Sequence, residues 1–170
     1  MKPQNIIRIV VCIAAGIMVC LILWATKRKE QKIAPYRLMP EIRALTISGD
    51  SLKVYEALNK TKRTSILFFG PDCEFCQKEI EGILKRNGEC RDVQWVFITI
   101  AQPEELKPFL NEYPIESTPN AFLLREDFPE MHIKFGVSAP PALFIYDEHG
   151  KLMKMHGGAI PIKTIVEELQ

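Results

Sequence analysis

The chain has 170 residues, of which 47% are hydrophobic and 25% are charged, which suits one ordinary globular domain with a short appendage. The formal net charge of +1 is unevenly placed, since residues 1–37 carry a net charge of +6 and the remaining residues a net charge of −5. A mildly acidic domain behind a basic segment lacks the basic face on which nucleic acids bind, so we expect no nucleic-acid partner.

An uncharged and almost wholly apolar run occupies residues 9–25, between Arg8 and the basic triplet Lys27-Arg28-Lys29. As a helix, this run would be about 26 Å long, near the short limit for crossing a bilayer. The small-residue pattern of a cleaved signal peptide does not occur at its end. We therefore expect residues 1–26 to form an uncleaved single-pass transmembrane helix that anchors the protein, and residues 27–40 to be a linker.

The remaining residues, 41–170, are predicted to form one domain in which strands and helices alternate. Strands are predicted from apolar and β-branched runs, at residues 41–47, 65–69, 93–100, 120–124, 142–146 and 151–155. Helices are predicted from capping residues and helical patterns, at residues 52–59, 77–86, 103–110, 130–135 and 161–169. This order, with a hairpin and a helix at its end, predicts an α/β sandwich with a central mixed sheet flanked by helices.

Two cysteines lie two residues apart, in Cys73-Glu74-Phe75-Cys76, between a predicted strand and the helix that follows it. On the first turn of a helix, this spacing brings both sulfurs close enough to form a disulfide. The first sulfur then lies beside free N–H groups and the positive end of the helix dipole, which can lower a cysteine pKa from about 8.5 to roughly 3.5–7.5. The acidic neighbours Asp72 and Glu74 oppose this effect. The arrangement predicts a redox-active dithiol, which needs no cofactor.

Two motifs, in this order, resemble those of the thioredoxin-like superfamily. The first, Phe68-Phe69-Gly70-Pro71-Asp72-Cys73-Glu74-Phe75-Cys76, is similar to the redox turn between strand and helix in that family. The second, Phe135-Gly136-Val137-Ser138-Ala139-Pro140-Pro141-Ala142-Leu143-Phe144, is similar to the family's cis-proline loop. The resemblance covers roughly residues 41–170. The segment between Pro103 and Glu130 resembles the insertion of the membrane-anchored thiol–disulfide oxidoreductase branch.

The resemblance implies an enzyme that exchanges disulfides with protein thiols or disulfides, more often as a reductase, and that uses a membrane-bound or soluble electron donor. Carried over to this chain, Cys73 would be the exposed nucleophile and Cys76 the buried resolving thiol. Pro141 would be the cis-proline beside the dithiol. Pro140 would offer a substrate only its C=O, because proline has no N–H. Phe75 is expected to be an apolar contact for a partner protein.

The chain departs from the family pattern at three further positions. The tryptophan that commonly precedes the first cysteine is replaced by Asp72, and the buried acid on the preceding strand by Leu67. The proline of the following helix is replaced by Glu81. These departures leave the substrate class and the reduction potential open.

Two features disagree about the compartment of the domain. More basic residues follow the apolar run than precede it, and the positive-inside tendency would then place the domain in the cytoplasm. A dithiol domain on an N-terminal anchor instead suits an oxidising compartment, in which disulfides form and are exchanged. We expect the domain to lie outside the cytoplasm, on the periplasmic side.

Three alternatives remain open. A structural zinc ion needs four ligands, and no second close pair occurs among the other candidates, which are Cys90, His132, His149 and His156. A copper-delivery protein of thioredoxin-like fold is the second alternative, although the copper-binding relatives have a wider cysteine spacing and a histidine. In the third, the CxxC motif is inert and the domain is a thiol-binding module. We expect no metal ion at this site, Cys90 to be a bystander, and the three histidines to be solvated.

Overall fold

The computed structural model describes residues 3–126 and 130–169 and divides the chain into two compact units, Met1–Pro35 and Tyr36–Gln170. The N-terminal unit is a helix, α1 (Pro3–Ile33), which continues beyond the apolar run through half of the predicted linker. Within the part of the chain that was described, no helix has the length and apolarity needed to cross a membrane. The anchor and the predicted domain boundaries stay predictions.

The larger unit is built on a seven-stranded mixed sheet in the order β2-β1-β5-β4-β3-β6-β7. Its strands are β1 (Arg43–Leu45), β2 (Ser51–Lys53), β3 (Arg63–Phe68), β4 (Val93–Thr99), β5 (Ala121–Arg125), β6 (Ala142–Tyr146) and β7 (Leu152–Gly157). The central strands β3, β4 and β5 are parallel, whereas β6 is antiparallel to β3 and to β7. The carboxyl ends of the three parallel strands therefore meet at one edge.

Helices cover both faces of this sheet. They are α2 (Val54–Ala57), α3 (Glu74–Arg86), α4 (Pro103–Glu112), α5 (Glu130–Lys134) and α6 (Ile162–Leu169). The main core joins side chains of β3, β4 and β6 to helices α3, α4 and α6. On the opposite face, the rings of Phe68, Phe135 and Phe144 pack together with centroid separations of 5.0–5.8 Å. The predicted α/β sandwich with a central mixed sheet is confirmed.

Burial on both faces explains why the central strands lack an alternating pattern. Every residue of β4 is buried, and so are five of the six residues of β3. A parallel strand covered by helices on both sides must be apolar along its whole length. For this reason, the two apolar runs were predicted as strands close to their observed bounds.

The predicted helix at residues 52–59 is wrong for its first part, where the chain instead forms the β1–β2 hairpin before the short helix α2. The polar side chains that suggested a helix cap are used inside the hairpin turn. Ser48 Oγ donates to Asp50 Oδ2 at 2.7 Å, and Thr46 Oγ1 accepts the Asp50 N–H at 3.1 Å. Gly49 has a φ of +93°, which a glycine adopts without strain in such a turn.

His132 is not solvated, contrary to expectation. Its ring Nδ1 is bonded to the carboxylate of Glu126, and its ring packs edge-on against Phe68 with centroids 4.8 Å apart. The buried Glu126 carboxylate also accepts the N–H of Met131 at 2.7 Å, at the start of α5. This pairing compensates for burial of the carboxylate and fixes the first turn of α5 below β3.

Candidate active site

The dithiol lies in the turn between β3 and α3, at the edge where the parallel strands end. Cys73 is the N-cap of α3 and has an extended backbone, with φ −86° and ψ 103°. Two hydrogen bonds hold the turn: the Cys73 N–H donates to Gly70 O at 3.2 Å, and the Gln77 side chain donates to Pro71 O at 2.6 Å. The position of the first cysteine is thus set by backbone bonding as well as by the helix.

Cys73 and Cys76 are joined by a disulfide, with Cα atoms 5.2 Å apart. Cys73 is half-buried, whereas Cys76 is fully buried in the main core. The Cys76 N–H points at the Cys73 sulfur, 3.2 Å away. A negative charge on the Cys73 sulfur would be stabilised by this N–H and by the positive end of the helix dipole.

The side chain of Phe75 lies between the two cysteines in sequence and is 66% exposed. At this position on the first turn of α3, the ring points away from the core, as we expected from the sequence. Asp72 and Glu74, on either side of Cys73, are also exposed. The surface of the turn therefore combines an apolar ring with two carboxylates.

The loop that follows α5 lies beside the dithiol turn. Its Pro140–Pro141 peptide bond is cis, as predicted, with Pro140 exposed and Pro141 buried. Two pairings fix its position: Ala142 of β6 is opposite Phe68 of β3, and the Gly158 N–H donates to Pro141 O at 2.8 Å. The cis-proline loop, the dithiol turn and the start of the β7–α6 connection thus lie next to one another.

A buried carboxylate near the dithiol was not predicted from the sequence. Glu79 is 4% exposed and lies three residues after Cys76 on α3, a spacing that places the two Cβ atoms about 5–6 Å apart. Burial raises the Glu79 pKa from its ordinary value of 4.5 to about 7, and the Ile160 backbone N–H partly offsets this increase. The carboxylate oxygens make no hydrogen bond of normal geometry to a described residue.

Helical spacing was the signal that could have identified Glu79. The buried positions of α3 are Cys76, Glu79, Ile80 and Ile83, which follow the i, i+3, i+4, i+7 pattern of one helix face. On the preceding strand, where the family resemblance places a buried acid, this chain has Leu67, which is fully buried. The acid is instead supplied by the helix.

The other candidate ligands are not gathered at the dithiol. Cys90 is buried just before β4, at the opposite edge of the sheet, and burial raises the pKa of its thiol. His156 Nε2 is paired with Glu168 Oε2 at 2.7 Å, and His132 is held by Glu126. Among residues 3–126 and 130–169, no group of three or more His, Cys, Asp and Glu side chains could hold a metal ion.

Comparison with known proteins assigns the family. The profile of the thioredoxin-like domain matches residues 50–170. The chain belongs to the thioredoxin-like family. Thioredoxin-like protein YneN of Bacillus subtilis (strain 168) is 24% identical over 168 residues, which cover 91% of this chain and 95% of YneN.

Two solved structures of Mycobacterium tuberculosis proteins have a similar fold. DsbF, in its mixed oxidised and reduced forms, superposes with a TM-score of 0.65 and 21% identity, covering 80% of this chain and 95% of DsbF. A secreted disulfide oxidoreductase homologous to Escherichia coli DsbE also gives a TM-score of 0.65, with 19% identity over 76% of this chain and 94% of that chain. The order of strands and helices around the dithiol is thus one that other folded proteins share.

Proposed function

We propose that this protein is a thiol–disulfide oxidoreductase that exchanges disulfides with partner proteins through Cys73 and Cys76. The observation that carries the proposal is the asymmetry of the pair. Cys73 is half-buried and its sulfur accepts a helix N–H, whereas Cys76 is fully buried. Membership of the thioredoxin-like family supports the same conclusion.

In the reductase direction, the Cys73 thiolate attacks one sulfur of a partner disulfide. The partner's S–S bond breaks, and its second sulfur leaves as a thiolate that takes up a proton. Cys76 then loses its proton and attacks the Cys73 sulfur, which releases the partner's first sulfur and closes the Cys73–Cys76 disulfide. The partner gains two electrons and two protons, and a membrane-bound or soluble donor must reduce the protein again.

We propose that Glu79 accepts the proton that Cys76 must lose. A buried thiol ionises poorly, and Glu79 is the carboxylate one helical turn away on the same face of α3. With a pKa of about 7, Glu79 can both take up and release a proton near neutral pH, which suits a general base. Glu79 would thus act in the second step, in which the mixed disulfide is resolved.

We further propose that an extended segment of the partner lies along the cis-proline loop. The exposed Pro140 offers a backbone C=O but no N–H, while Pro141 lies beneath it. Phe75 would contribute apolar contact on the other side of the Cys73 sulfur. A partner would therefore be held with one backbone hydrogen bond fewer than a non-proline residue at position 140 would allow.

For location, we propose that the domain works outside the cytoplasm and that the apolar run in residues 9–25 anchors it. The support is the 17-residue uncharged run and the fold similarity to a protein described as secreted. Assignment to the membrane-anchored branch and preference for reduction belong to the same proposal. Both follow from the sequence resemblance.

Disulfide reduction by the purified full-length chain tests the function. With dithiothreitol as the electron source, the protein should accelerate reduction of insulin, and Cys73→Ser should abolish the acceleration. Cys90→Ser is the matched control, since Cys90 lies at the opposite edge of the sheet, and it should retain the activity. Full activity in the Cys73→Ser variant would contradict the proposal.

A further inference from the structure

The two residues that flank Cys73 in sequence are both acidic. Asp72 and Glu74 flank Cys73, and both side chains are exposed. Within the described part of the chain, neither side chain takes part in an ion pair or a hydrogen bond. Lys78 lies one helical turn beyond Glu74 and forms no ion pair with it there. The two carboxylates therefore flank the half-buried Cys73 without a hydrogen bond or an ion pair of their own to a described residue.

The neighbouring loops contribute no charge of their own. The cis-proline loop, residues 136–141, and the β7–α6 connection, residues 158–161, contain neither acids nor bases. They lie together through the hydrogen bond from Gly158 to Pro141. Phe75 is exposed beside these uncharged loops, and Asp72 and Glu74 supply the charges adjacent to Cys73 in sequence.

We infer that the partner segment carries a lysine or arginine beside its reactive cysteine. This inference rests on the proposed function and names the substrate class of the same site. A basic side chain next to the attacked sulfur would neutralise the two carboxylates, whereas an acidic one would be repelled. The same carboxylates disfavour the Cys73 thiolate, so they would not accelerate disulfide exchange with an uncharged partner.

Symmetric peptide disulfides provide a probe with balanced chemistry. Cys73 attacks one sulfur and displaces one peptide thiolate. Cys76 then displaces the second peptide thiolate, so one peptide disulfide is reduced for each Cys73–Cys76 disulfide formed. Three peptides of one length are compared, with lysine, alanine or glutamate on both sides of the cysteine. The rate at which the protein reduces each peptide is divided by the rate at which dithiothreitol reduces the same peptide. This ratio corrects for the intrinsic reactivity of the peptide disulfide.

The reduced full-length chain should prefer the lysine peptide over the glutamate peptide roughly fivefold to tenfold at low ionic strength. Salt should reduce this preference, because the Debye length falls from about 30 Å at 0.01 M to about 3 Å at 1 M. In Asp72→Asn/Glu74→Gln, the ratio should approach one. This ratio is independent of any change in the nucleophilicity of Cys73, which affects all three peptides equally.

The matched control is Asp92→Asn/Glu148→Gln, which removes the same two charges from exposed positions at the opposite edge of the sheet. It should keep the preference for the lysine peptide. Equal rates for the three peptides, or a preference that survives Asp72→Asn/Glu74→Gln, would overturn the inference while leaving disulfide exchange intact. Failure to reduce any of the three peptides would instead contradict the proposed function, and the inference with it.

Discussion

At the scale of single residues, the dithiol turn places three neighbouring side chains in different environments. Cys73 caps the helix with an extended backbone, Phe75 faces outward, and Cys76 enters the core. Because residues three apart lie on the same helix face, Glu79 follows Cys76 into the core. The N-cap and the first two turns of α3 thus supply a half-buried thiol, a fully buried thiol and a buried carboxylate.

The raised pKa of Glu79 predicts a pH-dependent stability. Between pH 4.5 and about 7, the unfolded chain releases the Glu79 proton while the folded protein retains it. The free energy of unfolding should therefore fall as the pH rises through this range, by about 3 kcal/mol in total. Glu79→Gln removes this contribution. In urea unfolding of the oxidised proteins, the free energy of unfolding of Glu79→Gln relative to the wild type should increase by about 3 kcal/mol between pH 4.5 and 7.5.

The control for this experiment is Glu81→Gln, two residues along the same helix, where the side chain is exposed and paired with Lys85. Its stability should follow that of the wild type across the same pH range. If the free energies of unfolding of Glu79→Gln and the wild type differed by the same amount from pH 4.5 to 7.5, the pKa of Glu79 would not be raised in the folded protein.

Pro140→Thr should strengthen peptide binding at the cis-proline loop, because threonine restores a backbone N–H. One hydrogen bond contributes roughly 0.5–1.5 kcal/mol, so mixed disulfides with an extended peptide should become about two- to tenfold more stable. The measurement is the equilibrium between peptide and 2-mercaptoethanol mixed disulfides at Cys73 in a Cys76→Ser background. Pro119→Thr, an exposed site just before β5, is the control and should leave this equilibrium unchanged.

An unchanged equilibrium in the Pro140→Thr variant would mean that partners do not lie along this loop. The reduction potential of the Cys73–Cys76 pair should move little, since the N–H at position 140 would bond the partner. A large shift in potential would indicate that the substitution acts on the dithiol itself.

Sequence reasoning identified the dithiol and the cis-proline loop because both depend on local spacing. Cys73 and Cys76 are identified by their two-residue gap, and Pro141 by the resemblance of its loop to the cis-proline loop of the thioredoxin-like family. The pair formed by Glu126 and His132 was missed, because it depends on how α5 packs below β3. The residue type alone does not predict that tertiary packing will bury a charged side chain.

At the scale of elements, the packing of α3 on α6 depends on a glycine. A Cβ atom added to Gly82 would lie 3.1 Å from both Cβ and Cγ1 of Ile162. Gly82→Val should therefore force the two helices apart and lower the free energy of unfolding by about 1–3 kcal/mol. Chemical denaturation measures this loss.

Gly88→Val is the matched control for Gly82→Val, because a Cβ atom at Gly88 would meet nothing within 4 Å. It should change the stability by less than about 0.5 kcal/mol. If both valine variants were equally stable, the close approach of α3 and α6 would not be a constraint on the fold.

Strands β3, β4, β5 and β6 and helices α4, α5 and α6 lie within two residues of their predicted bounds. The apolar runs, helical spacing and capping residues that predict them are local features of the sequence. The second strand of the β1–β2 hairpin was missed, because polar residues such as Ser48 and Asp50 occur both in turns and at helix caps. Pairing of Leu45 with Arg125 joins this hairpin to β5 and so to the rest of the sheet.

At the scale of the whole molecule, the apolar run predicts a tether, and a dithiol domain on such a tether suits a compartment outside the cytoplasm. A fusion of alkaline phosphatase to the C-terminus of the full chain, expressed in a bacterial host, should be active and should remain with the membrane fraction. A cytoplasmic reporter fused at the same point should be inactive. The reverse pattern of reporter activities would place the domain in the cytoplasm, as the count of basic residues suggests.

The relative reactivity of the two thiols tests the central claim most directly. The reduced full-length chain is treated with iodoacetamide at about pH 6, and the alkylated cysteines are mapped by mass spectrometry over time. Because the helix N-terminus stabilises the Cys73 thiolate while Cys76 is buried, Cys73 should react at least about tenfold faster than Cys76. Alkylation of Cys76 at an equal or greater rate would contradict the assignment of Cys73 as the nucleophile.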